Sequence, residues 1–153
     1  MENKNSKSHL TAITRKTLPL PTRWLLQKGL LVGKVMDYGC GKCAPVNPPE
    51  WFNYDPYYQP NANFGNDRFD TIVCNYVLCT LPRQERLPII KHIQVLLRLN
   101  GIAYISVRND RPKQGWGISK RGTYQGRSQR LRIPIIRETS GYRIYELTKN
   151  TKL

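Results

Sequence analysis

The chain has 153 residues, 25 of them Lys or Arg against 10 Asp or Glu, for a formal net charge of +15. That length allows one domain with a sizeable core, and no run of 18 apolar residues is present to cross a bilayer. A polyanionic partner, nucleic acid first, would explain the charge; anionic lipid fits less well, because no long basic amphipathic helix is legible.

Residues 1–10 are polar and basic and are expected to form a disordered tail, followed by a single domain over residues 11–153. The start leads into no apolar signal segment, so the protein is expected in the cytoplasm. Its four cysteines, Cys40, Cys43, Cys74 and Cys79, are then expected to be reduced thiols. Prolines at 19 and 21 delay the first helix, which is predicted over residues 22–28 with Trp24, Leu25 and Leu26 on its buried side. Gly29 supplies its stop.

Val35 and Met36 read as the end of a short buried strand that runs into Asp37-Tyr38-Gly39-Cys40-Gly41. The two glycines permit a sharp turn and let a ligand approach main-chain N–H groups. A strand entering such a turn opens the nucleotide crevice of many open α/β sheets; a plain strand-ending turn is the competing reading. A carboxylate at position 37 would repel a pyrophosphate. It suits a ligand with a cationic amino group, of which S-adenosylmethionine is one.

Residues 43–50 contain three prolines, so the crossover after this turn is expected to be a loop or a single helical turn. A second strand over residues 51–54 ends at Asp55-Pro56, where Asp55 alone reads as a turn starter. Residues 57–67 are turn-rich, with a very short strand or none. Residues 69–75 are the clearest strand: Ile72, Val73 and Cys74 form the continuous apolar run of a strand buried on both faces. A helix is predicted over residues 83–99, regular from about Pro88, with Ile89, Ile90, Ile93, Leu96 and Leu97 at helical spacing and Asn100-Gly101 as its stop. A strand over residues 102–107 follows.

Residues 108–130 are expected to be a long basic loop. Within it, Lys120-Arg121-Gly122-Thr123-Tyr124-Gln125 combines cations, a hydroxyl and an aromatic ring. Such a set can hold phosphates and stack on a base, or it is simply a solvated loop. Residues 130–137 and 142–147 predict a terminal hairpin turning at Thr139-Ser140-Gly141. Charge follows this plan: residues 1–36 carry net +6, residues 37–107 zero and residues 108–153 net +9.

Three features in this order resemble the class I S-adenosylmethionine-dependent methyltransferases: the Asp37-x-Gly39-x-Gly41 turn, the acid Asp55 ending the second strand, and the Phe69-Asp70-x-Ile72-Val73 strand leaving through Val77-Leu78-x-x-Leu81-Pro82. The resemblance implies an α/β, Rossmann-like, mostly parallel sheet with an antiparallel C-terminal hairpin and, here, a reduced first crossover helix. It implies S-adenosylmethionine as cofactor, held by Asp37, Tyr38, Gly39, Cys40, Gly41, Asp55, Pro56 and Asn75, with Asp55 on the ribose hydroxyls. Nitrogen-directed relatives carry Asp/Asn-Pro-Pro-Tyr after the family's fourth strand. That place reads Asn75-Tyr76-Val77-Leu78, which makes Asn75 and Tyr76 the candidate catalytic residues, without the two prolines. Arg15, Lys16, Lys120, Arg121, Thr123, Tyr124 and Gln125 are the candidate substrate contacts, on DNA or RNA. A narrower likeness covers about the first 60 residues: Thr11 to Lys16, Gly29-Leu30-Leu31, the glycine turn and Asp55-Pro56-Tyr57-Tyr58 look like putative methyltransferases associated with DNA phosphorothioation.

Two other classes stay open. Cys40-x-x-Cys43 with Cys74 and Cys79 could supply thiolates to zinc, but buried reduced cysteines explain them as well, and no metal is expected. A nucleic-acid-binding protein that keeps the fold without the reaction is the second. Retained acids at 37 and 55 favour the enzyme.

Overall fold

Short apolar runs separated by glycine and proline leave this chain rich in strands and poor in helices. The computed structural model describes residues 7–60, 64–111, 115–126 and 130–153. Its helices are α1 (Leu20–Gln27) and α2 (Arg83–Leu96). Its strands are β1 (Val35–Tyr38), β2 (Phe52–Tyr54), β3 (Phe69–Asn75), β4 (Leu97–Arg108), β5 (Gly117–Ile118), β6 (Tyr124–Gln125), β7 (Ile135–Glu138) and β8 (Tyr142–Thr148). Six of them form one sheet in the order β2-β1-β3-β4-β8-β7. The first four strands of that order are parallel, and β8 runs antiparallel between β4 and β7. This is the expected reduced Rossmann-like α/β architecture. After β1 the chain goes outward to β2 and then returns to β3 on the opposite flank of β1. In such sheets ligands bind outside the carboxyl ends of the strands where the direction reverses, here between β1 and β3.

Alternation along the strands sorts the side chains into two faces. Register places Met36 beside Ile72 and Ile72 beside Ala103, with Leu147 next. This row meets Ile89, Ile90, Ile93 and Leu96 of α2 in one apolar cluster. The other face carries Val35, Val73, Tyr104 and Ile144, packed with Leu25 of α1 and with Trp51. Asp37 is in register with Val73 and so shares the α1 face. Tyr38 lies on the α2 face, where its hydroxyl bonds His92 Nδ1 at 2.8 Å.

Several boundaries differ from the sequence reading. Residues 1–6 of the expected tail lie outside the described residues. Lys7 to Leu10, also expected to be disordered, belong to the 3-10 turn Lys7–Thr11, which is held by tertiary contacts given below. Helix α1 starts two residues before the predicted point, because Pro21 fits a first turn, where its missing N–H costs nothing. Helix α2 keeps Pro88 inside it and stops at Leu96. Leu97 already pairs with Phe69, and the chain bulges before Ile102 pairs with Thr71. Gly101 sits in this bulge, where a Cβ would lie 2.7 Å from the Phe69 carbonyl oxygen; it serves close approach, not a helix stop. The basic loop over residues 108–130 is not uniform. Its parts at 112–114 and 127–129 lie outside the described residues, while β5 and β6 pair into a small ribbon. Among the described residues no helix is long and apolar enough to cross a membrane.

Candidate functional site

Outside the carboxyl ends of β1 and β3 lies a cleft of about 1520 Å³, lined among others by Asp37, Gly39, Gly41, Asp55, Asn75 and Tyr76. The turn that forms its floor needs glycine twice. Gly39 and Gly41 have φ of 73° and 53°, in the left-handed region that costs other residues strain. A Cβ on Gly39 would collide with the Val77 side chain, and one on Gly41 would lie 3.2 Å from Ala12 Cβ. The N–H groups of Gly39 and Cys40 both bond the Tyr54 carbonyl, at 2.7 and 2.9 Å. The turn is thereby fixed to the end of β2.

Asp37 is 3 % exposed and lines the cleft. Asn47, 8 % exposed, donates through Nδ2 to Asp37 Oδ2 at 2.7 Å and to Asn53 Oδ1 at 2.6 Å. Among the described residues no Lys or Arg pairs with Asp37. Burial pushes its carboxyl up to about 6; the Asn47 hydrogen bond pulls the other way, and the Asp55 charge adds to the rise. A carboxylate held this way is an anion lacking its counter-charge, which is the property a cationic ligand group uses.

Asp55 shares the cleft, but most of its accepting capacity is used by the main chain. Oδ2 accepts from Gly41 N at 2.9 Å, and Oδ1 accepts from the N–H groups of Tyr57 and Tyr58 at 2.8 and 2.9 Å. A carboxylate has about four acceptor sites, so Oδ2 keeps one. Asp55 can take one ligand hydroxyl, not the two that the sequence reading allowed. Its first task is to tie the glycine turn to the exit of β2.

Asn75 ends β3 at the cleft, and Tyr76 follows it. The Asn75 amide is held at both ends: Nδ2 donates to Thr22 Oγ1 of α1 at 2.9 Å, and Oδ1 accepts from Ser106 Oγ of β4 at 2.9 Å. Tyr76 has φ of 60° and is, among the described residues, the one non-glycine residue with positive φ. A strained residue of this kind costs about 1–3 kcal/mol and persists where its surroundings determine it. Its N–H bonds the Ser106 carbonyl at 2.9 Å, and burial pushes its phenol up to about 12, so it enters as a neutral group.

The candidate substrate contacts divide. Arg15 and Gln125 line the cleft; Lys16, Lys120, Arg121, Thr123 and Tyr124 do not. Lys120 and Arg121 are exposed at the tip of the β5–β6 ribbon, whereas Thr123 and Gln125 are buried. The segment therefore does not act as one phosphate-and-base cradle, because ribbon geometry turns its side chains to different surroundings. The ribbon is anchored beside the cleft by Gly126 N, which bonds the Cys79 carbonyl at 2.8 Å. Asn47 is the residue that the sequence reading missed.

The cysteines are free thiols. Burial raises the pKa of Cys40 and Cys74, with Asp37 adding to both. Neutral thiols are poor metal ligands, and among the described residues no group of three or more His, Cys, Asp or Glu could hold a metal ion.

No family model matches the chain, and no curated protein matches it, so the narrower likeness to phosphorothioation-associated proteins receives no support. Solved structures do match. Magnesium protoporphyrin IX methyltransferase from Synechocystis PCC 6803, with bound SAH, is 20% identical over 82% of this chain and 78% of its own, with a TM-score of 0.49. The glycopeptide N-methyltransferase MtfA, complexed with S-adenosyl-L-homocysteine, is 12% identical over 84% of this chain and 72% of its own, with a TM-score of 0.42. PKMT2 from Rickettsia typhi is 22% identical over 60% of this chain but only 25% of its own, with a TM-score of 0.37. The fold assignment rests on the strand order and register above.

Proposed function

We propose that this protein binds S-adenosylmethionine in the cleft and transfers its methyl group to an acceptor on a polyanionic substrate, nucleic acid first. The observation that carries the reading is Asp37: a buried carboxylate at the reversal point of the sheet, beside a turn stripped of Cβ atoms, with no cation of the described residues to balance it. The ammonium of the cofactor's amino-acid end supplies that balance. Asp55 Oδ2 takes a ribose hydroxyl. That the neighbours above include methyltransferases solved with the demethylated cofactor agrees with this choice of ligand.

Bound cofactor brings a methyl group activated by a sulfonium. The chain then has to align donor and acceptor. Asn75 is suited to that task because its amide cannot rotate, and its oxygen keeps one lone pair for a donor on the acceptor molecule. Tyr76, in its fixed left-handed backbone, presents a neutral ring beside it. The nucleic-acid acceptor rests on charge alone: Lys42 and Arg15 line the cleft, and the ribbon tip adds exposed Lys120 and Arg121. A second reading, cofactor binding without transfer, is favoured by the same amide being tied at both ends.

Calorimetric titration with S-adenosylhomocysteine tests the cofactor, and incubation with labelled donor and mixed DNA and RNA tests the acceptor. Micromolar binding with label entering nucleic acid is expected. Absence of any binding would sink the first half, and binding without labelled nucleic acid the second.

A further inference from the structure

Residues 7–16 form a strap that belongs to no strand of the sheet, yet Ser8, His9, Thr11, Ala12, Ile13 and Arg15 line the cleft, in a chain whose first crossover helix is reduced to the single turn Ala44–Val46. His9 stacks on Tyr57 with ring centroids 3.8 Å apart and planes 9° apart. Tyr58 OH donates to the His9 carbonyl at 2.9 Å. Ala12 occupies the space that Gly41 leaves open. These contacts join the strap to the exit of β2 and to the glycine turn, and they carry Arg15 into the cleft. Its guanidinium carbon lies 5.9 Å from the centre of the Tyr76 ring.

Among the described residues no acid pairs with Arg15. Asp37 has no cation, and Cys43 feels both charges: burial raises its thiol pKa, Asp37 raises it further, and Arg15 opposes them. Lys42 and Glu85 also line the cleft, with the Lys42 Nζ 5.5 Å from the centre of the Tyr58 ring, but Asp37 and Arg15 are the two charges that meet at the Cys43 thiol. An α-amino-acid head, ammonium and carboxylate on one carbon, is the chemical complement of that pair. A nucleic-acid phosphate is not, because Asp37 would repel it.

We propose that Arg15, delivered by the strap, binds the carboxylate of the ligand's amino-acid head while Asp37 binds its ammonium. The proposal rests on reading the cleft as the S-adenosylmethionine site, and it moves Arg15 from substrate contact to cofactor anchor. It also gives the strap the enclosing role that the reduced crossover cannot fill. A planar guanidinium suits a carboxylate through paired N–H donors.

Three ligands titrated into the full chain by calorimetry decide it: S-adenosylhomocysteine, its decarboxylated analogue, and 5′-methylthioadenosine, which lacks the whole amino-acid head. The wild-type protein is expected to bind S-adenosylhomocysteine about tenfold or more tighter than the decarboxylated analogue. Arg15→Met is expected to lose roughly ten- to a hundredfold for S-adenosylhomocysteine and less than about twofold for the other two. Arg15→Lys should recover part of that loss. Equal wild-type affinity for the carboxylated and decarboxylated compounds overturns the role of Arg15 and leaves the cofactor reading standing; this arm needs no variant. Loss of all three ligands in a folded Arg15→Met protein also overturns it. No binding of any of them to the wild-type protein removes both readings.

Discussion

On its α2 side the sheet meets a helix of 14 residues through a continuous apolar cluster. On its α1 side, over the carboxyl ends of β1 and β3, it meets a helix of 8 residues, a single helical turn and the strap. The first side buries Ile72, Ile93, Ile105 and Leu147. The second buries Thr22, Asp37, Asn47 and Ser106, each within a hydrogen bond of another polar group. Both sides bury an apolar cluster, but the α1 side alone also surrounds the cleft with a buried charge and directed hydrogen bonds. The difference explains how so reduced a fold retains a ligand site: polar side chains fix the cleft where helices are missing.

The contrast is broken most severely from the apolar side. Ile93, fully buried, sits where α2 meets the sheet, and Ile93→Ala should cost about 2–5 kcal/mol by urea denaturation. Affinity for S-adenosylhomocysteine in the folded fraction should stay within about twofold. A large loss of affinity at unchanged fold would show that the two sides are not separate.

Asp37→Asn acts in the opposite sense. The folded carboxyl is raised from 3.8 to about 6, so its contribution to stability is complete below the lower value and is lost as pH rises through the upper one. Relative to the Asn variant, the wild-type protein should therefore lose about 2 kcal/mol between pH 4 and pH 7. Denaturation at the two pH values reads this directly, and a constant difference would mean that Asp37 is not desolvated. The same variant should lose cofactor binding. In the wild-type protein that binding should fall about tenfold per pH unit below 6, because protonated Asp37 must release its proton to hold an ammonium.

Tyr38→Phe removes the hydroxyl that bonds His92 and should cost about 1 kcal/mol of stability. A cost much above that would assign His92 a wider role on the α2 side. The smallest effect on the fold is expected at the ribbon tip. Lys120→Glu with Arg121→Glu should change stability by less than about 0.5 kcal/mol, while weakening the proposed nucleic-acid binding and flattening its salt dependence. Unchanged binding, measured by fluorescence anisotropy at two salt concentrations, would remove the ribbon from the polyanion surface.

Legibility followed the same division. β3 was plain in the sequence because Ile72, Val73 and Cys74 are buried on both faces and leave an unbroken apolar run. The glycine turn was plain because Gly39 and Gly41 each meet a neighbour that leaves little room for a Cβ. The end of α2 was not, since Leu96 and Leu97 continue the helical spacing while Leu97 already pairs in the sheet. The strap was invisible for a different reason. Its order comes from His9 on Tyr57, partners 48 positions apart by sequence numbering, and no local periodicity records such a contact. Asn47 sits between residues that read as loop, and only the paired register of Asp37 with Asn53 gives its amide a place. Lys120 to Gln125 looked like one functional unit because composition says nothing about which way a two-stranded ribbon turns each side chain.

In sheet order β7 is terminal and pairs with β8 alone, although β8 follows it in the chain. The same late segment also covers the outer side of β4. During synthesis, then, the parallel half can assemble early with the 12-residue β4 as an open edge, where the finished sheet has the 4-residue β7. β8 covers that long edge only once residue 148 has cleared the ribosome, which makes the nascent chain, more than the finished protein, the species most exposed to wrong pairing.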